Sequence, residues 1–200
     1  MGIKISVIIP AFNSEKYIER ALNSIFEQSL DAEIFEIIIV DDGSSKPLRK
    51  FLQDKYLTKV LLIEHKKNQG LPSALNTAIN NSSGRFIVRV DSDDYIHESF
   101  LEILFLKFKL SPNLSAVSCD YFIIDEKENH IKEISAITQP IGCAIMFKKQ
   151  ALIEVGLYNP KFKMAEEIEL MRRFKEKNFQ IENLNIPLYR YYKRARYLRG

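Results

Sequence analysis

Short runs of β-branched and aliphatic residues punctuate the chain at 3–10, 35–40, 60–64 and 86–90, each too brief for a helix. Apolar residues dominate these few positions, which predicts strands covered on both faces, as in a parallel sheet. Between these runs the period changes. Ile18, Ala21, Leu22, Ile25 and Phe26 fall at i, i+3, i+4, i+7 and i+8, which predicts an amphipathic helix with Asn13 or Ser14 as its N-cap. A short helical piece is expected over 48–56, and Ala74, Leu75, Ala78 and Ile79 predict another helix from Leu71, closed by Ser82, Ser83 and Gly84. Strand and helix in alternation build βαβ units, so the fold class is α/β: a mainly parallel central sheet with helices on both faces.

Beyond Asp94 the rhythm loosens. A Leu- and Phe-rich helix is expected over 99–110, strands over 116–124 and 143–147 in mixed or antiparallel pairing, and a last helix over 165–177. Residues 125–140 carry little apolar periodicity and read as a hairpin or mobile loop. The end of the chain, 189–199, interleaves five basic residues with four tyrosines and one leucine. The organisation is therefore a single domain over 1–188 and a basic, aromatic tail over 189–200.

Composition narrows the class. At 200 residues, 46% hydrophobic and 28% charged, the chain fits one soluble globular domain. Its 29 basic against 26 acidic residues leave a net charge of only +3, without the strong basic face of a nucleic-acid binder. Cys119 and Cys143 have no C-x-x-C spacing and are too few for a disulfide framework, so reduced, partly buried thiols and a cytoplasmic location are expected. No stretch approaches the roughly 20 apolar residues of a membrane helix, and the N-terminus lacks the features of a secretory signal. His65, His97 and His130 are scattered singly, so any metal must rest on carboxylates.

Chemistry gathers where strands end. Pro10 to Asn13, Asp41 to Ser45 and Asp91 to Asp94 each follow a predicted strand. In an open α/β sheet, ligands bind outside the carboxyl ends of the strands. Carboxylates collected there can hold a hard divalent cation and accept hydrogen bonds from hydroxyls or base N–H groups. Asp, Ser and Gly are also ordinary turn residues, but acidic clusters after two strands of one sheet converge on one edge.

Taken in order, Ser6-Val7-Ile8-Ile9-Pro10-Ala11-Phe12-Asn13, Val40-Asp41-Asp42-Gly43-Ser44-Ser45, Asn68-Gln69-Gly70 with Ala74 and Asn76, and Asp91-Ser92-Asp93-Asp94 resemble the signatures of the family 2 glycosyltransferases. The resemblance covers nearly the whole chain. It implies the nucleotide-sugar-binding GT-A fold, Rossmann-like with a smaller mixed C-terminal part: a nucleotide-binding half over 1–98 and an acceptor-binding half over 99–188. It implies that Pro10, Ala11, Phe12 and Asn13 line the nucleoside pocket and that Asp41 or Asp42 recognises the base, most often uracil. Asn68, Gly70, Asn76 and Ser92 join the nucleotide-sugar site; Arg89 either offsets phosphate charge or pairs with an acidic neighbour. Asp91 and Asp93 match the family's D-x-D, Asp91 toward the ribose and donor sugar and Asp93 on Mn²⁺ or Mg²⁺. Asp94 is a second ligand or a helix cap.

Residues 165–173 resemble the family's Glu-Asp signature, which puts Glu167 at the position of the general base with Glu166 as the other candidate. Gly142 and Cys143 resemble the segment beside the acceptor pocket. Two departures stand out: Glu occupies the place where Asp is commoner, and no histidine lies between Tyr189 and Gly200, where many members place one near the metal. The implied activity is inverting transfer from a nucleotide-diphosphate sugar, UDP-linked, to a hydroxyl of a saccharide or lipid-linked acceptor in cell-surface glycan synthesis. A non-catalytic nucleotide-sugar-binding or assembly module is one alternative. A nucleotidyltransferase is another, but it calls for a Gly-rich basic loop where this chain has Pro10 to Asn13. Lys66, Lys67 and the basic tail suggest peripheral contact with the inner membrane face, and the tail tyrosines a homo-oligomer contact.

Overall fold

The computed structural model describes residues 2–162 and 165–193. Four strands, β1 (Ile5–Ala11), β2 (Phe35–Asp41), β3 (Leu61–Glu64) and β4 (Phe86–Arg89), pair in parallel in the order β3-β2-β1-β4. The helices α1 (Ile18–Phe26), α2 (Asp54–Leu57) and α3 (Leu71–Asn80) fall in their connections. The sheet continues from β4 through antiparallel β8 (Ile145–Lys148) to β6 (Ala116–Ile124), then to β9 (Ile181–Tyr192), parallel to β6, and to the short β5 (Tyr95–Ile96). β7 (His130–Ile134) folds back on β6 as a hairpin. The remaining helices are α4 (Phe100–Leu110), α5 (Lys149–Glu154) and α6 (Glu166–Glu176).

Side chains alternate between two covered faces along each strand, which explains why apolar residues dominate at both odd and even positions. Val7, Ile9, Val88 and Val90 pack beneath α1 and α4, while Ile8, Ile38, Val40 and Ile87 pack beneath α3, α5 and α6. Arg89 follows Ile87 by two and so enters the second face. Register pairs Ala11 with Asp41 and Ile8 with Arg89, which brings the ends of β1, β2 and β4 to one edge.

Several expectations need correcting. Asn13 and Ser14 do not cap α1; Tyr17 does so, and both polar side chains are drawn to neighbouring loops. Residues 48–56 form a 3₁₀ turn at Leu48–Lys50 and then α2, not one helix. Gly84 is not a helix cap: a Cβ there would lie 2.6 Å from the Ser6 backbone nitrogen, so its role is close approach to β1. The tail does not begin at 189, because Tyr189–Tyr192 complete β9 and Tyr189 is fully buried. The membrane reading rested on Lys66, Lys67 and the basic tail and the oligomer reading on the tail tyrosines; Tyr189, Tyr191 and Tyr192 are part of β9, and residues 194–200 lie outside the described residues. Among the described residues no helix is long and apolar enough to cross a membrane.

Gly43 shows how tightly the edge loops meet. It sits at φ +72°, and a Cβ would stand 2.4 Å from the Lys67 carbonyl carbon. Gly43→Ala is expected to destabilise the fold by about 1–3 kcal/mol, since it adds a backbone clash to a left-handed conformation. A thermal melt compared with the parent checks this.

Candidate active site

The three loops at the sheet edge are tied together by their own polar side chains. Asn13 Oδ1 accepts from Ser45 N at 2.9 Å, and Ser44 Oγ accepts from Asn13 N at 2.9 Å. Ser14 Oγ and Ser92 Oγ share a hydrogen bond of 2.7 Å, which fixes the β1 loop to the D-x-D loop. Asp41 is buried and accepts from Ser44 N and Leu48 N at 3.0 and 2.9 Å. It therefore closes its own loop and is not placed to read a base. Asp42, also buried, accepts from Gly70 N at 2.8 Å and Gln69 N at 3.0 Å, and lies 2.6 Å from His65 Nδ1. The positive φ of Gly70, +91°, lets that loop turn its amides onto Asp42.

Asn76 is corrected: its amide donates to Tyr158 O at 2.7 Å and accepts from Tyr158 N at 2.9 Å, so it joins α3 to the segment after α5. Ala11 and Ser92 are buried framework. Of the residues expected at the nucleotide-sugar site, the exposed ones are Phe12, whose ring is 49% exposed and open to stacking, Asn13 and Asn68.

The acidic loop is unusually dense in charge. Asp94 is buried; its Oδ2 accepts from Tyr189 Oη at 2.7 Å and its Oδ1 from Tyr192 N at 2.7 Å. It anchors β9 and does not cap a helix. Burial pushes its carboxyl well above the usual range, and the Asp91 and Asp93 charges push it further. Ligand atoms of Asp91, Asp94 and Cys143 lie within 4.8 Å of one another. Burial raises the Cys143 thiol well above its ordinary value, as do Asp91 and Asp94, so it is neither nucleophile nor good ligand. Asp91 and Asp93 are both partly exposed. Hard carboxylate oxygens suit Mn²⁺ or Mg²⁺, but the group whose ligand atoms come together takes in Asp91 and Asp94 and leaves Asp93 outside.

Arg89 crosses from this loop to α6. Its Nε and Nη2 donate to Asp91 Oδ1 and Oδ2 at 2.6 and 3.0 Å, and its Nη1 donates to Glu166 Oε1 at 2.9 Å. Burial alone would lower it, but the Asp91 carboxylate holds this guanidinium well above its ordinary value. Arg89 is thus paired with acidic neighbours. Gly142 packs against it: a Cβ at Gly142 would stand 2.5 Å from Arg89 Nη1 and 3.3 Å from Glu167 Cβ.

The first turn of α6 carries three glutamates, Glu166, Glu167 and Glu169. Glu166 is held by Arg89, and Glu169 by a forked pair with Arg173 at 2.9 and 2.7 Å. Glu167 makes no hydrogen bond or ion pair with any described residue. Its side chain lines a cavity of about 550 Å³ between the 136–143 loop, β6, β8, α6 and the start of β9. Gly142 and Cys143 line the same cavity, next to Ile141, Ile168 and Met171. Sequence reasoning missed Tyr189, whose hydroxyl also accepts from Asp91 N at 3.1 Å, and His65 beside Asp42. It read Tyr189 as tail and gave His65 no partner.

The sheet order, with polar loops gathered at one edge and an acidic helix start across it, is that of a GT-A fold. The family model for glycosyl transferase family 2 matches residues 6–187, and the chain belongs to that family. An uncharacterised glycosyltransferase of Rickettsia bellii is 30% identical over 82% of this chain and 25% of its own length. TarS of Staphylococcus aureus, a poly(ribitol-phosphate) β-N-acetylglucosaminyltransferase, is 39% identical over 50% of this chain and 18% of its own. Its structure with UDP-GlcNAc superposes with a TM-score of 0.82 at 25% identity, covering 96% of this chain and 59% of that one. Mannosyltransferase PcManGT from Pyrobaculum calidifontis, solved with GDP-Man and Mn²⁺, shares the fold at a TM-score of 0.78 and 19% identity, over 95% and 57% of the two chains. The chain spans only about a quarter of the length of the Rickettsia relative.

Proposed function

We propose that this chain is the catalytic domain of an inverting glycosyltransferase using a UDP-sugar, with a hydroxyl of a saccharide or lipid-linked molecule as acceptor. The observation that carries the reading is the Glu167 carboxylate at the wall of the cavity, without a partner among the described residues and beside an edge rich in carboxylates. Phe12 offers its exposed ring to the base, and Asn13 and Asn68 flank the same edge. Asp91 and Asp93 would hold Mn²⁺ or Mg²⁺, which neutralises the departing diphosphate. Glu167 takes the proton from the acceptor hydroxyl as that oxygen attacks the anomeric carbon on the face opposite the nucleotide, and the bond to the diphosphate oxygen breaks. TarS, by its name and its bound ligand, uses UDP-GlcNAc, which makes UDP the first nucleotide to test.

Calorimetric titration with UDP, GDP and ATP, with and without Mn²⁺, tests the donor site. UDP is expected to bind best and only with the metal. Asp93→Ala is expected to weaken metal-dependent UDP binding by about 10- to 100-fold with the melting temperature preserved, the loss typical of a metal-shell residue. Unchanged affinity would remove Asp93 from the metal, and no nucleotide binding at all would favour an assembly module.

A further inference from the structure

We propose that Arg89 is the positioning residue of the catalytic base, linking the donor loop to the helix that carries Glu167. The inference rests on the reading of Glu167 as base. Arg89 lies on the sheet face covered by α3, α5 and α6, where its strand neighbour Ile87 packs in an apolar cluster. A guanidinium buried there contributes little net stability compared with an apolar pair of similar volume, since desolvation offsets the attraction. What it supplies is geometry. Two of its N–H groups grip Asp91 in a fork and a third grips Glu166, the residue directly before Glu167.

The surroundings are shaped to this guanidinium. Gly142 has no side chain where Arg89 passes, and the space a Cβ would fill lies against both Arg89 and Glu167. Ala165, which precedes α6, is in the left-handed region at φ 60°, as is Ala144 at φ 61° beside Gly142 and Cys143. Alanine holds that conformation only when its neighbours enforce it. The Glu166–Arg89 bond is the polar contact that fixes the start of α6 against the sheet. Glu169 and Arg173 fix the helix to Val155 on its other side. Breaking the Arg89 link frees the first turn and with it the base, while the donor loop keeps its own hydrogen bonds.

Glu166→Gln removes the charge from the link and leaves only a neutral amide acceptor for Arg89 Nη1, with Arg89 still on Asp91. Arg89→Met/Glu166→Met removes both members of the buried pair if the single variant folds poorly, and leaves the partly exposed Asp91 without its fork. Hydrogen exchange of the amides at 169–172 is expected to quicken about tenfold or more in both, the size of a lost charged hydrogen bond, with β1 and α3 unchanged. For Glu166→Gln, which leaves the fork on Asp91, UDP release from a panel of UDP-sugars is expected to show kcat reduced by about 10- to 100-fold with the donor KM nearly unchanged, as for a misplaced catalytic group. Arg89→Lys, which keeps the charge but not the fork, is expected to fall between.

Unchanged exchange at 169–172, exchange raised evenly across the molecule, or a KM rise at constant kcat would each overturn the proposal. If the parent binds UDP but turns over no UDP-sugar, the reading of Glu167 fails, while the exchange data still decide whether Arg89 positions α6.

Discussion

Glu167→Gln is expected to lower turnover by about 10²- to 10⁴-fold, the span typical of losing a general base, while UDP affinity with Mn²⁺ stays at the parent value. The amide is nearly isosteric with the carboxylate but cannot accept a proton at neutral pH. Because Glu167 has no described partner, the change leaves no donor stranded and breaks no ion pair. The variant should therefore melt with the parent. Glu166→Gln is different in kind: it disrupts a buried pair with Arg89 at 2.9 Å, so its effect passes through the position of α6. A pre-steady-state assay of UDP release, with binding measured separately, separates the two. Parental turnover in Glu167→Gln would assign the base elsewhere, first to Glu166. Glu167→Asp shortens the side chain by one methylene and restores the residue commoner in the family. It should retain measurable activity.

The parallel half was legible because its physics is local. Apolar runs buried on both faces, amphipathic helices between them and polar turns at the strand ends all announce themselves within a few residues. β9 was hidden for the opposite reasons. Its first half contains Glu182, Asn183, Asn185 and Pro187, is largely half-buried or exposed, and shifts register against β6 around Asp120. Its second half looked like a charged tail, yet Tyr189 is fully buried because Asp94 and the Asp91 amide satisfy its hydroxyl.

The residue types of the candidate site were legible too, but their division of labour was not. That division depends on partners far away in sequence. Asp42 meets His65, Asn76 meets Tyr158, and Arg89 meets Glu166. No local pattern distinguishes a carboxylate that holds a loop from one that waits for a ligand. Glu166, Glu167 and Glu169 share a helical turn, and only the fold shows which two are already engaged.

Phe174→Ala is expected to cost about 3–5 kcal/mol, as aromatic truncations in a closed core do, and to lower the melting temperature by roughly 10 °C. Phe174 and Leu170 are the fully buried residues by which α6 docks. The Phe174 ring meets Phe147 edge-on at 5.3 Å and Phe179 at 5.4 Å, so it joins β8, α6 and the segment leading into β9. Phe174→Leu, which keeps most of the volume, should lose far less. The base rides on the same helix one turn and more away, so turnover should also fall in Phe174→Ala when measured well below its midpoint, where the molecules are folded. If stability falls as expected but kcat at low temperature is unchanged, the Arg89–Glu166 link alone is enough to hold Glu167. If both fall together, apolar docking at one end of α6 and the ion pair at the other act jointly on the base.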